Sequence, residues 1–84
     1  MQKGNVNPEE VARTFGEILR ERRGEKGLSQ EKLAYECNLD RTYISMLERG
    51  LKQPSLTVVL RLAQALQAPA SDMVASVEER LLKE

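Results

Sequence analysis

The segment from residue 30 to residue 49 constrains the fold of this 84-residue chain more than any other. Two stretches with apolar residues at helical spacing are separated by only three residues, Asn38, Leu39 and Asp40. Because Asn38 tolerates left-handed backbone angles, this break predicts a tight turn between two short helices that cross steeply. Ala34 is small enough to let the two helices approach closely. Larger apolar residues then fill the space between these helices and the rest of the protein: Leu39, Ile44 and Leu47.

Capping residues and breaks divide the rest of the chain into three further helices. Gly27 and Gly50 end the first and third helices, and the segment 68–70, with a central proline, breaks the fourth. The predicted N-caps, in chain order, are Asn7, Ser29, Asp40, Ser55 and Ser71. The apolar residues at helical spacing in the fourth helix are Leu56, Val59, Leu60, Ala63 and Leu66.

These elements predict an all-α fold, a compact five-helix domain with a helix-turn-helix formed by helices two and three. We expect a flexible N-terminus over residues 1–6 and a single domain over residues 7–84. The helix-turn-helix covers about 30–49, and a C-terminal helix covers about 71–83. The second helix of such a motif fits the major groove of DNA, which is about 12 Å wide.

Composition excludes several classes of function. The chain has 40% apolar and 31% charged residues, as a globular protein has, and no apolar run approaches the ~20 residues that span a bilayer. With one cysteine and no histidine, we expect no disulfide, no metal site, no cofactor and no enzymatic activity. Cys37 is expected to be buried and Tyr35 exposed. The N-terminus has no signal-peptide pattern, which predicts a cytoplasmic protein.

The net charge is zero, which by itself does not favour nucleic-acid binding, but the charges are unevenly distributed. Residues 41–61 contain four basic residues and one acidic residue, a net charge of +3. Residues 62–84 contain two basic and four acidic residues, a net charge of −2. A DNA backbone responds to the local field within about 8–10 Å, although such fluctuations are also common in any charged chain.

The run from Gly27 to Leu66 resembles the helix-turn-helix domain of the lambda repressor, Cro and xenobiotic-response-element family. The matching motifs are Leu-Ser-Gln at the start of helix two, Asn-Leu-Asp in the turn, Ile-Ser-x-x-Glu-Arg-Gly at the end of helix three and Pro-Ser-Leu before helix four. Asn38 departs from the family pattern, which often has glycine there. Within the family, the phrase NLDRTYIS resembles the small controller proteins of bacterial restriction-modification systems, which are dimeric and regulate their own operon.

The resemblance implies that the start and one side of helix three read base edges, whereas the alternative is an ordinary solvated face. The residues concerned are Arg41, Thr42, Ser45 and Met46. It also implies contacts to the DNA backbone by Ser29, Gln30, Arg49, Lys52, Gln53 and Ser55. The hydroxyl of Tyr43 is expected to contact the backbone as well, because Ile44 and Leu47 already fill the core. Tyr43 has the alternative of filling space in the core, and Gln30 is implied to brace helix three as well. Arg23 and Glu48 match a structural salt bridge of the family.

The fifth helix carries more large apolar residues than one buried face needs. Its predicted dimer contacts are Met73, Val74, Val77 and Leu81, flanked by Leu82. A two-fold dimer would place two recognition helices about 34 Å apart on a palindromic site. The alternative is a monomeric bundle in which this helix belongs only to the core.

Two functions follow from these features. The first is a sequence-specific transcriptional regulator that binds double-stranded DNA as a homodimer on a (pseudo)palindromic operator, without a small-molecule ligand domain and without a membrane partner, at the nucleoid of a bacterial cytoplasm. The second is an antitoxin or adaptor that uses the same fold mainly to bind another protein.

Overall fold

The computed structural model describes residues 6–83, which form five α-helices and no strand. The helices are α1 (Pro8–Glu25), α2 (Gln30–Cys37), α3 (Arg41–Glu48), α4 (Leu56–Ala65) and α5 (Ala70–Leu82). The predicted all-α, five-helix fold is therefore confirmed. Of the predicted flexible N-terminus, 1–6, only Val6 lies within the described residues, and Glu84 lies outside them.

The long helix α1 packs against both α3 and α5. The short helix α2 packs against α3 and α4, and α4 packs against α5. The largest fully buried side chains are Ile18, Leu19, Leu33, Ile44, Leu47, Leu62, Leu66 and Met73. These side chains form one core shared by the five helices. Within it, α3 packs against α1 and α2.

Three of the predicted N-caps form as expected. The side chains of Asn7, Ser29 and Ser55 accept hydrogen bonds from backbone amides three residues further on, at 2.8–3.1 Å. Each bond satisfies one of the amide groups that the first turn of a helix leaves without a partner.

The other two predicted caps differ in outcome: Asp40 is at the predicted position without a side-chain bond, and Ser71 is not the N-cap. Asp40 stands at the N-cap position of α3 with extended backbone, but its side chain makes no capping hydrogen bond. Helix α5 begins at Ala70, one residue before Ser71, and its N-cap position is taken by Pro69. Proline has a fixed φ close to the value that this position adopts here, −63°, so it can start a helix without a polar side chain.

Four helices end at a residue with left-handed backbone angles: Gly27, Asn38, Gly50 and Gln67. In each case the amide of the next residue bonds to a carbonyl five residues back, which closes the last turn. Asn38 has φ 59° and ψ 46°, so its predicted role in the turn is confirmed. Gln67, with φ 56°, was not predicted, because glutamine is not a residue type that favours this conformation.

The apolar residues of α4 and α5 divide between the core and the surface. In α4, Leu56 and Leu60 are 71% and 53% exposed, and the inward positions next to Val59 and Ala63 are filled by Leu62 and Leu66. In α5, Met73 is fully buried and Val77 and Leu81 are also buried, since all three pack into the core of the same chain. Met73 therefore has no surface to offer a second chain. Val74 alone among the four predicted dimer contacts is exposed.

Candidate nucleic-acid interface

Helix α3 has one buried face and one outward face. Ile44 and Leu47 are completely buried and fix the helix to the core. The residues predicted to read bases lie at the other positions of the helix: Arg41 and Thr42 are exposed, and Ser45 and Met46 are partly buried. Because α3 has only eight residues, two buried side chains on one face determine which residues point away from the protein.

The carboxylate of Glu48 joins the last turn of α3 to two other helices. Arg23 on α1 donates to it through Nε at 2.6 Å and through Nη2 at 3.1 Å, and Gln30 at the start of α2 donates to it through Nε2 at 3.0 Å. Arg23 also donates through Nη1 to the carbonyl of Leu28 at 2.8 Å. The hydrogen bond to Glu48 raises the pKa of the Arg23 guanidinium above its usual value. The salt bridge implied by the resemblance is thus present, and so is the bracing role of Gln30.

The N-termini of α2 and α4 each place a serine hydroxyl at the surface. The Oγ atoms of Ser29 and Ser55 accept the amide hydrogens of Lys32 and Val58. A serine hydroxyl can accept and donate at the same time, so each O–H can still donate to a phosphate oxygen. Both helix N-termini also favour an anion through the helix dipole.

The segment after α3 contains two exposed cations, Arg49 and Lys52. Within residues 6–83 neither of them, nor Arg41, forms an ion pair, whereas Arg13, Arg23 and Arg80 do.

Gln53 and Tyr43, two further predicted backbone contacts, also have partners inside the protein. The side-chain amide of Gln53 donates to the carbonyl of Pro8, which ties this loop to the start of α1. Tyr43 is partly buried and packs against the core cluster, so it fills space in the core, which was the alternative prediction for this residue. Contacts from Gln53 and Tyr43 to DNA remain predictions.

Sequence reasoning missed the extent of the apolar surface on α4 and α5. Val74 lies between two shallow grooves of about 290 and 260 Å³. Val11 and Val77 line both grooves, Leu81 and Leu82 line the first, and Leu56 lines the second. Helical spacing groups Leu56 and Leu60 with Val59, and only the packing of α4 shows that the two leucines face outward.

The described residues also bear on two other kinds of site. Among residues 6–83, no helix is long and apolar enough to cross a bilayer. The same residues contain no cluster of histidine, cysteine, aspartate or glutamate that could hold a metal ion.

Cys37 is buried, as predicted, and its thiol donates to the carbonyl of Arg61 at 3.7 Å. Burial raises the pKa of this thiol.

The family described as Helix-turn-helix matches residues 19–73, which include α2, α3, α4 and the turns between them. The chain belongs to the helix-turn-helix family. It is 43% identical over 61 residues to the control protein C.BamHI of Bacillus amyloliquefaciens, covering 71% of this chain and 75% of that protein. This helix-turn-helix chain is also similar to the crystal structure of the restriction-modification controller protein C.AhdI from Aeromonas hydrophila. Their identity is 45% and the TM-score 0.72, covering 74% of this chain and 94% of C.AhdI.

A third relative has been solved together with DNA. The restriction-modification controller protein C.Esp1396I forms a tetramer in complex with its natural 35 base-pair operator. This chain is 30% identical to it with a TM-score of 0.77, and the similarity covers 87% of this chain and 96% of C.Esp1396I. At this identity and coverage, the two proteins share both the fold and the family.

Proposed function

We propose that this chain is a transcriptional regulator that binds double-stranded DNA sequence-specifically as a homodimer on a (pseudo)palindromic operator, and that it is a restriction-modification controller protein. The observation that carries the proposal is the outward face of α3, which presents Arg41 and Thr42 to solvent while Ile44 and Leu47 anchor the helix. An arginine at the start of such a helix can donate two hydrogen bonds to O6 and N7 of guanine in the major groove.

The charges around α3 support this proposal despite the zero net charge of the chain. Glu48, the acidic residue within 41–61, is neutralised by Arg23. Arg41, Arg49 and Lys52 have no ion-pair partner within residues 6–83, so their field extends into solvent. A phosphate backbone that approaches α3 therefore meets uncompensated positive charge.

The apolar surface of α4 and α5 supports the homodimer. Leu56, Leu60, Val74 and Leu82 are all at least 42% exposed, and Val74 lies between the two apolar grooves. Large apolar side chains grouped in this way mark an interaction surface. In a two-fold dimer this surface would meet itself, and the two copies of α3 would face successive major grooves.

The similarity to C.BamHI and C.AhdI supports the more specific role of a restriction-modification controller. A regulator of this kind acts at the nucleoid of a bacterial cell. Its control would come from its own concentration and from operator occupancy.

The experiment that tests the proposal is footprinting on the DNA upstream of the chain's own gene, combined with a salt titration of binding to the protected site. If Arg49 and Lys52 of each protomer neutralise one phosphate apiece, the logarithm of the binding constant should fall with the logarithm of the salt concentration, with a slope of about −3 to −4. The proposal expects a protected palindrome and a scrambled duplex bound at least about 1,000-fold more weakly. Equal affinity for both duplexes, or a stable complex with a copurified protein and no protected site, would overturn it in favour of the adaptor.

A further inference from the structure

At one point the backbone of the last turn of α3 rests directly on the backbone of α1. Gly16 lies in the middle of α1 and is buried against the end of α3. A Cβ atom on residue 16 would stand 2.7 Å from the carbonyl oxygen of Glu48 and closer still to the carbonyl oxygen of Leu47. Real Cβ atoms do not approach backbone oxygens this closely, so any side chain at residue 16 would push the end of α3 away from α1.

A second glycine makes a similar contact one turn away. Gly50, directly after α3, has φ 74°, and a Cβ atom there would stand 2.9 Å from the Cα atom of Arg13. Arg13 and Gly16 are three residues apart and therefore lie on the same face of α1. Glycine at residues 16 and 50 thus lets the end of α3 rest directly on the α1 backbone at two points.

The same face of α1 also holds α3 through a side chain. Arg23 lies seven residues after Gly16, two turns along α1, and it is the residue that binds the Glu48 carboxylate. The main chain of Glu48 is therefore fixed at Gly16, and its side chain is fixed at Arg23. Together these contacts determine how far α3 stands out from the bundle.

We propose that Gly16 and Gly50 are positioning residues for DNA recognition, because they set the distance between α3 and α1. The inference rests on the proposed function. Helix α1 packs against α5 as well as α3, and α5 carries the exposed Val74 of the proposed dimer surface. The distance from α3 to α1 thereby fixes the separation of the two copies of α3 in a dimer, and with it the spacing of half-sites that the dimer prefers.

The chain offers a matched control for each glycine. Gly24 also lies within α1, but a Cβ atom there would meet nothing within 4 Å. Gly24→Ala and Gly16→Ala therefore both gain helix propensity, and they differ in the contact with α3. Gly27 has φ 69° and open space around its missing Cβ, so Gly27→Asn is the control for Gly50→Asn.

The experiment compares Gly24→Ala with the double variant Gly16→Ala/Gly24→Ala, and Gly27→Asn with Gly50→Asn. Binding is measured to a palindrome that the parent chain selects from a randomised duplex library, and to versions with the half-sites one base pair closer or further apart. We expect the double variant and Gly50→Asn to bind the selected palindrome at least about tenfold more weakly than their controls, with a different preferred spacing. Affinity for a scrambled duplex should stay unchanged.

A role limited to stability predicts a different result. The double variant would then melt at a lower temperature than Gly24→Ala, but well below its melting temperature it would bind the parent palindrome with the same affinity and the same preferred spacing. Operator affinity and preferred spacing equal to those of the controls would overturn the inference. Gly50→Asn keeps the test decisive if the double variant does not fold, since asparagine tolerates the left-handed backbone at residue 50.

Backbone amide NMR shifts separate this inference from the proposed function, because they need no DNA. We expect shifts in the amides of residues 41–50 in Gly50→Asn and in the double variant, with residues 56–65 unchanged relative to the controls. If the parent chain selects no palindrome, the proposed function fails, and unchanged α3 amides would overturn the positioning role independently.

Discussion

Arg23 and Glu48 are 25 residues apart in sequence, yet the guanidinium of Arg23 binds both carboxylate oxygens of Glu48, at 2.6 and 3.1 Å. The Glu48 side chain is only 4% exposed and that of Arg23 only 17%. Because an unpaired charge in such a place is costly, the pair connects the stability of the bundle to the position of α3.

Replacing Glu48 by alanine is expected to lower the free energy of unfolding by about 2–4 kcal/mol, since Arg23 and Gln30 both lose an acceptor. The control is Glu36→Ala, which removes the exposed pair with Lys32 and should cost less than about 0.5 kcal/mol. Urea denaturation measures the free energy of unfolding of both variants. If Glu48→Ala melted like the parent chain and bound operator DNA equally well, the bracing role would be wrong.

Gln67 is expected to be a site where glycine stabilises the protein. Its left-handed backbone strains a residue with a Cβ atom, so Gln67→Gly should raise the free energy of unfolding by about 0.5–1 kcal/mol. Gln64→Gly, three residues earlier in α4, should instead lower it by about the same amount, because glycine disfavours a helix. Thermal melts of both variants test this, and a drop in both would contradict the assigned backbone strain.

Burial of Cys37 is expected to make the protein less stable at alkaline pH. In the unfolded chain this thiol ionises as the pH rises through its ordinary pKa, about 8.5, while the folded state keeps it protonated because its pKa is raised. The folded state then binds more protons, so its stability falls by up to about 1.4 kcal/mol per pH unit. Below pH 8 the thiol is protonated in both states, and the stability that the buried thiol contributes is fully present.

Comparison with Cys37→Ala isolates the effect, because every other titrating group is shared. The difference in unfolding free energy between the two proteins should be constant below pH 8 and should shrink above pH 9. A difference that does not change with pH would show that the thiol ionises equally in both states.

Val74→Asp is expected to convert the homodimer into a folded monomer, because it places a charge between the two apolar grooves. Ala75→Asp introduces the same charge at the next exposed position, which lines a polar groove against α1, and should leave the dimer intact. Sedimentation equilibrium distinguishes the two. A dimer in Val74→Asp, or a parent chain that is monomeric, would contradict the proposed surface.

The sequence predicted the helices better than it predicted their surfaces. Five helices and the Asn38 turn could be predicted because each depends on local residues: caps, glycines and apolar spacing. The spacing of Leu56 and Leu60 matches that of Val59, so it does not separate buried from exposed residues; the packing of α4 against α2 and α5 determines which of them face outward. Met73 was predicted to contact a second chain because α5 carries many large apolar residues, but the packing of α5 buries it completely.

The site was predicted in the same way, with local features more accurate than long-range ones. The outward side of α3 follows from the period of an eight-residue helix with two buried residues. The contacts from Gln53 to Pro8 and from Gly16 to the end of α3 join segments more than 25 residues apart. Nothing in the local sequence around Gly16 distinguishes it from Gly24, because the difference lies in the helix packed against it.

The most direct test of the central claim, that the outward face of α3 reads bases, is the sequence preference of Arg41→Ala. Selection from a randomised duplex library should give a palindrome for the parent chain, and the variant should bind it about 1–3 kcal/mol more weakly, with preference lost at one position in each half-site. Arg61→Ala, an exposed arginine on α4, should select the parent palindrome. If Arg41→Ala selected the same palindrome with the same affinity as the parent chain, this account of α3 would be contradicted.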